Sequence, residues 1–231
     1  MSLRAALHRA LSRPRLNALA RGVLRPLSPL IPPALLHRVP LVGTADVSLP
    51  DGRVMRLTSD GRDNLAALLY WGGWRSFEPE TLEVYLALLS EARVVFDVGA
   101  YVGIFAMAAA LGHPERDVHA FEPVPESFAR LQENLRANRL AHVHAVRACV
   151  GERDGEATLH VPDGVWLPSH SSTHAGFREH TRPVPVAALT LDHYARERGL
   201  ERVDVVKIDT EGNEDEVLAG ASELVTRSRP F

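Results

Sequence analysis

This chain has one lysine, one cysteine and, in its first 45 residues, no acid at all. Cys149 alone cannot close an internal disulfide, so nothing here requires an oxidising compartment, and the expected location is the cytoplasm. Long apolar runs are missing too. The longest, Gly103 to Gly112, has ten residues, whereas a spanning helix needs about 20, so no transmembrane segment is expected. Pro14, Pro26, Pro29, Pro32 and Pro33 interrupt the region where a secretory signal would need an unbroken apolar core. Aromatics are scarce at 6%, but 45% hydrophobic and 24% charged residues are ordinary for a globular protein. That composition excludes a disordered chain, a collagen and a disulfide scaffold.

What is present is unevenly placed. Residues 1–45 carry Arg4, Arg9, Arg13, Arg15, Arg21, Arg25 and Arg38, a charge of +7, while the remainder holds 19 basic and 29 acidic residues, or −10. Such a head suits a nucleic acid, a membrane surface or the protein's own acidic body; the acidic body disfavours nucleic acid. Lys207 stands out because every other basic residue is arginine, and a compact ammonium does not substitute geometrically for a guanidinium.

The 231 residues divide into a basic, proline-interrupted extension (1–45), a hairpin with a helical subdomain (46–91) and a main domain (92–231). Residues 2–25 read as short amphipathic helical pieces and Arg25 to Pro40 as extended. Asp51-Gly52 marks a hairpin turn between Val47-Ser-Leu and Val54 to Leu57. From Arg93 the pattern alternates: apolar strands over Val94–Val98, Val118–Phe121, Val143–Val150 and Val203–Ile208, with helices after each of the first two and over 213–225. Residues 155–161 and 184–189 are strand-like and flank an irregular stretch of 22 residues, Pro162 to Pro183. Strand–helix alternation with apolar strands predicts an open, mostly parallel α/β sheet with helices on both faces; the doubly wound topology then gives the order 3-2-1-4, with the ligand at the 1/4 switch point.

In such sheets ligands bind beyond the carboxyl ends of the strands. Strand one ends Asp97-Val-Gly99-Ala100-Tyr101-Val-Gly103. The two glycines let backbone approach a ligand, and the following helix start offers N–H groups. The spacing departs from a dinucleotide fingerprint, since Tyr101 stands where a second glycine is needed; Asp97 at the strand end suits a cationic or amine-bearing ligand. Glu122 ends strand two, 19 residues after Gly103, where an acid takes ribose hydroxyls. Strand four runs Lys207-Ile-Asp209-Thr-Glu211-Gly212-Asn-Glu214. Its acids suit a cationic cofactor, a substrate hydroxyl or removal of its proton. His170, His174 and His180 in the irregular stretch are further proton-transfer candidates. His170 and His174 have the spacing of two metal ligands on a helix, but no acid falls between them, so no metal site is assigned. On the residues alone, a nucleotide-cofactor oxidoreductase and a non-catalytic binding protein using its basic head stay open beside a transferase.

These segments resemble one family. Val95-Phe-Asp-Val-Gly-Ala-Tyr-Val-Gly103, Ala120-Phe-Glu-Pro123 with Leu131 and Asn134-Leu135, Leu189-Thr-Leu-Asp192, and Val203 to Gly212 with Glu214 are similar to the FkbM-type S-adenosylmethionine-dependent methyltransferases, within the Rossmann-like class I methyltransferases. The resemblance covers residues 93–230. It implies a Rossmann-like fold, S-adenosylmethionine as cofactor and O-methylation of a hydroxyl on a small molecule or sugar. Carried over by position, it assigns the cofactor to Asp97, Gly99, Ala100, Tyr101, Gly103 and Glu122, with the adenine near Ala148 and Cys149. Asp209 is the first candidate for general base, with Glu211 and His174 after it. The family usually has Asn where Tyr101 stands, and its pattern continues into another strand where this chain reaches Phe231. The expectation is therefore that C-terminal strands are missing and that strand four presents an edge suited to self-association.

Overall fold

The computed structural model describes residues 11–164, 167–168, 171–173 and 180–231. They form two compact units, one reaching Glu83 and including Leu167, the other running from Val84 onward.

In the first unit the described part of the basic head, from residue 11 onward, is built into the fold; Arg4 and Arg9 lie outside the described residues. Helix α1 (Pro14–Leu27) presents Asn17, which is fully buried. Its Nδ2 donates to the Pro40 carbonyl at 2.7 Å and its Oδ1 accepts from the Val42 N–H at 3.2 Å. Arg21 and Arg25 lie over the Tyr70 ring at 5.1 and 4.6 Å. The stretch from Arg25 to Pro40, expected to be extended, is instead helical: α1 continues to Leu27, Ser28–Leu30 is a 3₁₀ turn, and α2 covers Pro33–Leu36. Pro29 and Pro33 fall in first turns, where the missing N–H costs nothing. Strands β1 (Val42–Ser48) and β2 (Val54–Asp60) form the expected hairpin, longer than the turn signal alone implied, with Ser48 opposite Val54. Helix α3 (Asn64–Gly72) is capped by Asp63, whose carboxylate accepts from Leu65 and Ala66 N–H. The boundary between units falls within α4 (Pro79–Leu88).

The second unit is an α/β fold around a four-stranded parallel sheet. It comprises β3 (Val94–Val98), β4 (Asp117–Phe121), β5 (His144–Val146) and β9 (Val205–Ile208), in the order β5-β4-β3-β9. This is the predicted 3-2-1-4. Its crossovers are α5 (Ile104–Ala110), all seven residues buried, and α6 (Pro125–Ala137). The few aromatics concentrate here. Phe96, Phe121 and Tyr194 pack edge-to-face at 4.9–5.9 Å with Leu191, Val203, Val217 and Leu224 around them; each such side chain contributes about 1.5–3 kcal/mol on burial. Arg116 is buried, and its guanidinium closes the carbonyls of Leu89, Ala92 and Ala109.

Three expectations change. The apolar run 143–150 is two strands, β5 and β6 (Cys149–Val150), and the chain leaves the parallel sheet between them. Strands β7 (Gly155–Pro162) and β8 (Thr181–Leu189) pair antiparallel over eight positions and join β6 in a separate sheet, β6-β8-β7. The helix expected over 213–225 is broken into α8 (Glu214–Ala219) and α9 (Ser222–Ser228). Between them, a side chain at Gly220 would collide with the Gly151 carbonyl, and Asp192, at the start of α7 (Leu191–Glu197), accepts the Glu223 and Leu224 N–H groups that open α9. On the outer side of β9 the Phe231 N–H donates to Asp204 O at 3.0 Å, and its carbonyl accepts from Val206 at 2.9 Å. Part of the edge expected to be bare is therefore paired by the chain itself.

Candidate active site

The parallel strands β3, β4 and β9 deliver their carboxyl ends to one place, and the loop after β3 is fixed to both neighbours. Gly99 and Ala100 N–H both donate to the Phe121 carbonyl, at 3.0 and 2.9 Å, and Tyr101 N–H donates to Glu122 Oε2 at 2.8 Å. On the other side Gly99, at φ +78°, packs so closely on the Asp209 carbonyl that any side chain there would collide with it. Gly103, at φ +89°, is pressed likewise against Leu131 and opens α5. Both glycines are required by left-handed backbone and by close approach. Tyr101 also adopts a left-handed conformation, φ +51°, which costs a non-glycine residue about 1–3 kcal/mol and clusters at functional loops. Asn or Gly tolerates this conformation better.

Asp97 lies beneath this loop. It is fully buried, its Oδ2 accepts the Ala106 N–H at 2.9 Å, and Lys207 Nζ stands 3.5 Å from Oδ1. One of the N–H groups that the start of α5 was expected to offer a ligand, that of Ala106, is thus taken from inside. Burial raises the Asp97 carboxyl above its usual range, against the opposing Lys207 charge. Lys207 is the hub. Its ammonium is also 3.4 Å from the Gly99 carbonyl, 3.4 Å from Asp209 Oδ2 and 5.0 Å from the centre of the Phe105 ring. A short ammonium fits among these groups where a guanidinium's planar fork would not.

Glu122 is 5% exposed, and its two oxygens accept from Tyr101 and Val124 N–H, both at 2.8 Å. Burial pushes its pKa from 4.5 to about 7, against those two hydrogen bonds. A carboxylate has about four lone-pair directions, so two remain for hydroxyl donors. Cys149 is buried on β6 beside Val124, Leu159 and Val161. Burial, then the charges of Glu216 and Glu122, push its thiol to about 11.

At the end of β9 the acids divide. Asp209 has a half-exposed side chain. Glu211 holds φ +56°. Glu214 turns inward, its Oε1 accepting from Thr210 N–H at 2.9 Å, Thr210 Oγ1 at 3.2 Å and Gly212 N–H at 3.2 Å, so it closes the loop. Asn213, which sequence reasoning passed over, is buried and joins this loop to the 162–183 segment. Its Nδ2 donates to Thr173 Oγ1, and Ser172 Oγ donates to its Oδ1 at 3.3 Å. Ser172 in turn bridges to His160 on β7. A buried amide among polar residues carries no periodic signal, so no sequence pattern pointed to it. His170 and His174 lie outside the described residues; His180 is exposed, its carbonyl accepting the Asp163 N–H at 2.9 Å.

The loop is thus a glycine cradle held between carboxylates, with two lone-pair directions of Glu122 left for donors. Residues 97–231 match the family model described as the methyltransferase FkbM domain. The chain is 30% identical over 155 residues to 31-O-demethyl-FK506 methyltransferase FkbM of Streptomyces tacrolimicus, covering 56% of this chain and 60% of that protein. It is 26% identical over 148 residues to 2-O-methyltransferase NoeI of Sinorhizobium fredii (strain NBRC 101917 / NGR234), covering 59% of this chain and 60% of that protein. The crystal structure of methyltransferase FkbM from Methylobacillus flagellatus KT superposes with a TM-score of 0.41 at 17% identity, over 60% of this chain and 31% of that one. The chain spans about 60% of the length of the curated relatives it matches. Among the described residues, no helix is long and apolar enough to cross a membrane.

Proposed function

The chain belongs to the FkbM methyltransferase family, and from that membership we propose that it is an S-adenosylmethionine-dependent O-methyltransferase acting on a hydroxyl of a small molecule or sugar. The observation that carries this reading is the locking of three strand ends around one glycine loop, by Tyr101 N–H on Glu122, Gly99 against Asp209, and Lys207 between Asp97 and Asp209. The relatives' names, a 2-O-methyltransferase and a methyltransferase of 31-O-demethyl-FK506, support an oxygen acceptor.

When bound, S-adenosylmethionine supplies an electrophilic methyl group on a sulfonium. Glu122 would hold the ribose hydroxyls on its two free lone-pair directions, and the backbone of Gly99, Ala100, Tyr101 and Gly103 would line the amino-acid tail. Cys149, whose thiol feels the Glu122 charge, would lie against the adenine. Asp97 is fully buried, so its part shifts from direct ligand to support: it anchors α5 and Lys207 and adds negative potential under the loop. Methyl transfer is an in-line displacement, so the protein's task is positioning and exclusion of water. A hydroxyl acceptor also needs its proton removed as the bond forms. Asp209, half-exposed at the loop and steadied by Lys207 at 3.4 Å, is the first candidate for that base; Glu211 is second, and His174 third.

The test is transfer of label from methyl-labelled S-adenosylmethionine to a panel of sugars and small-molecule alcohols, followed by mass spectrometry. Asp209→Asn is expected to lower turnover about 10²–10⁴-fold while leaving affinity for S-adenosylhomocysteine unchanged. Turnover surviving that substitution would move the base to Glu211 or His174.

A further inference from the structure

A second cluster of chemistry-bearing side chains lies away from the glycine loop, toward the amino ends of the same strands. Asp117 and His119 are two apart on β4 and therefore share a face, and His144 on β5 is the register partner of His119. One carboxylate oxygen, Asp117 Oδ1, is approached by His119 Nε2 at 3.1 Å and by His144 Nε2 at 3.2 Å, and the three atoms all lie within 4.8 Å of one another.

The His119 approach is close but out of line for a well-formed hydrogen bond. His119 is 1% exposed, and its Nε2 has no aligned partner. Its other nitrogen is engaged, Nδ1 standing 2.8 Å from the Tyr194 hydroxyl. If Nδ1–H donates to Tyr194, Nε2 turns a lone pair on a carboxylate. If Tyr194 donates instead, the Nε2–H is misaligned with Asp117. Either way a buried polar atom is left unsatisfied, at a cost of about 1–3 kcal/mol. Three ligand-type atoms gathered within 4.8 Å of one another, two of them 3.1–3.2 Å from the same carboxylate oxygen, have the spacing of a metal's ligand set. Around a tetrahedral zinc with bonds of about 2.0–2.1 Å, neighbouring ligand atoms are about 3.3 Å apart.

We propose that Asp117, His119 and His144 form a binding site for a divalent transition metal of the zinc class, with water in the fourth position. The half-exposed Asp117 and His144 open it to solvent, and Tyr194 orients His119 from behind, as the outer partner of a metal-bound imidazole commonly does. The His119 and His144 rings are stacked 4.7 Å apart, so His144, the exposed partner, must rotate to converge. The metal would clasp β5, a three-residue edge strand, onto β4 and thereby fix the start of the segment that leads to Cys149. The nearby Arg198 charge works against a cation and weakens the site.

The experiment is calorimetric titration of the untagged, metal-stripped chain with Zn²⁺, alongside His144→Ala and, as control, His113→Ala, an exposed histidine paired with Glu115. One equivalent is expected to bind and to raise the unfolding temperature. His144→Ala should weaken that binding at least about tenfold, since losing a ligand costs no less than the ~10–100-fold of losing an outer partner, and His113→Ala should leave it unchanged. Should His144→Ala fail to fold, Co²⁺ added to the intact chain decides. Four-coordinate visible absorption bands support the site, and a purely six-coordinate spectrum overturns it. So would no saturable zinc uptake, or uptake that His144→Ala weakens by less than about tenfold.

Discussion

Exchanging Glu122 for Gln isolates the group on which the cofactor reading rests most. Gln keeps the shape but replaces one acceptor oxygen by a donor, so either Tyr101 or Val124 N–H, each 2.8 Å from an oxygen now, would face an NH₂ group. One buried amide left unpaired costs about 1–3 kcal/mol of stability. The acid also has a pH signature. Its folded pKa, about 7, lies above the 4.5 of an exposed glutamate. The stability it contributes is therefore complete below about pH 4.5 and is lost as pH rises through about 7. The span corresponds to about 3 kcal/mol at ~1.36 kcal/mol per unit. Urea unfolding from pH 4.5 to 8 should show this decline in the native chain and a flatter profile in Glu122→Gln. Ligand binding has the opposite sign. Hydroxyl donors favour the carboxylate, so affinity for S-adenosylhomocysteine should rise as pH passes 7, with proton release detectable in buffers of different ionisation enthalpy. At pH 8 the substitution should weaken binding by about 1.5–3 kcal/mol, the worth of hydrogen bonds to a charged group. Equal affinities in the two proteins, or binding indifferent to pH between 6 and 8, would refute the assignment of Glu122 to the ribose.

Lys207→Met leaves the fully buried Asp97 carboxylate without its cation and should lower stability by about 3–5 kcal/mol in thermal unfolding; Lys207→Arg should rescue little of it. Asp192→Ala removes the acceptor for the Glu223 and Leu224 N–H groups, with an expected loss of about 1–2 kcal/mol by denaturant titration. Cys149, its thiol pushed to about 11 and the residue only 8% exposed, should react with a thiol reagent at pH 8 far more slowly in the folded chain than in the unfolded one.

How much of this could be read from the residues differs by element. That the chain builds a buried parallel sheet followed from its short apolar runs, because parallel strands buried on both faces carry that pattern; the order of the four came from the doubly wound topology and not from the runs themselves. The run 143–150 gave no sign that β5 and β6 serve different sheets, since hydrophobicity records burial and not the partner that provides it. Asp97 illustrates a second limit. Its spacing from Gly99 marks a strand end correctly, but whether a carboxylate there faces a ligand or caps α5 from beneath depends on the rotamer and on Lys207, 110 residues away. The links through Asn213 and through Asp117, His119 and His144 depend on register between distant segments, which no local period encodes. Conversely, the lone lysine in an arginine-rich chain was a compositional oddity whose cause is geometric: three acceptors and one aromatic face leave room for an ammonium only.

The most direct test of the central claim is a crystal structure of this chain with S-adenosylhomocysteine. The account predicts both ribose hydroxyls on the Glu122 carboxylate, the amino-acid tail along the Gly99–Gly103 backbone and the sulfur facing the Asp209 side of the loop. Ligand density at any other place, or a ribose that leaves Glu122 uncontacted, would contradict it.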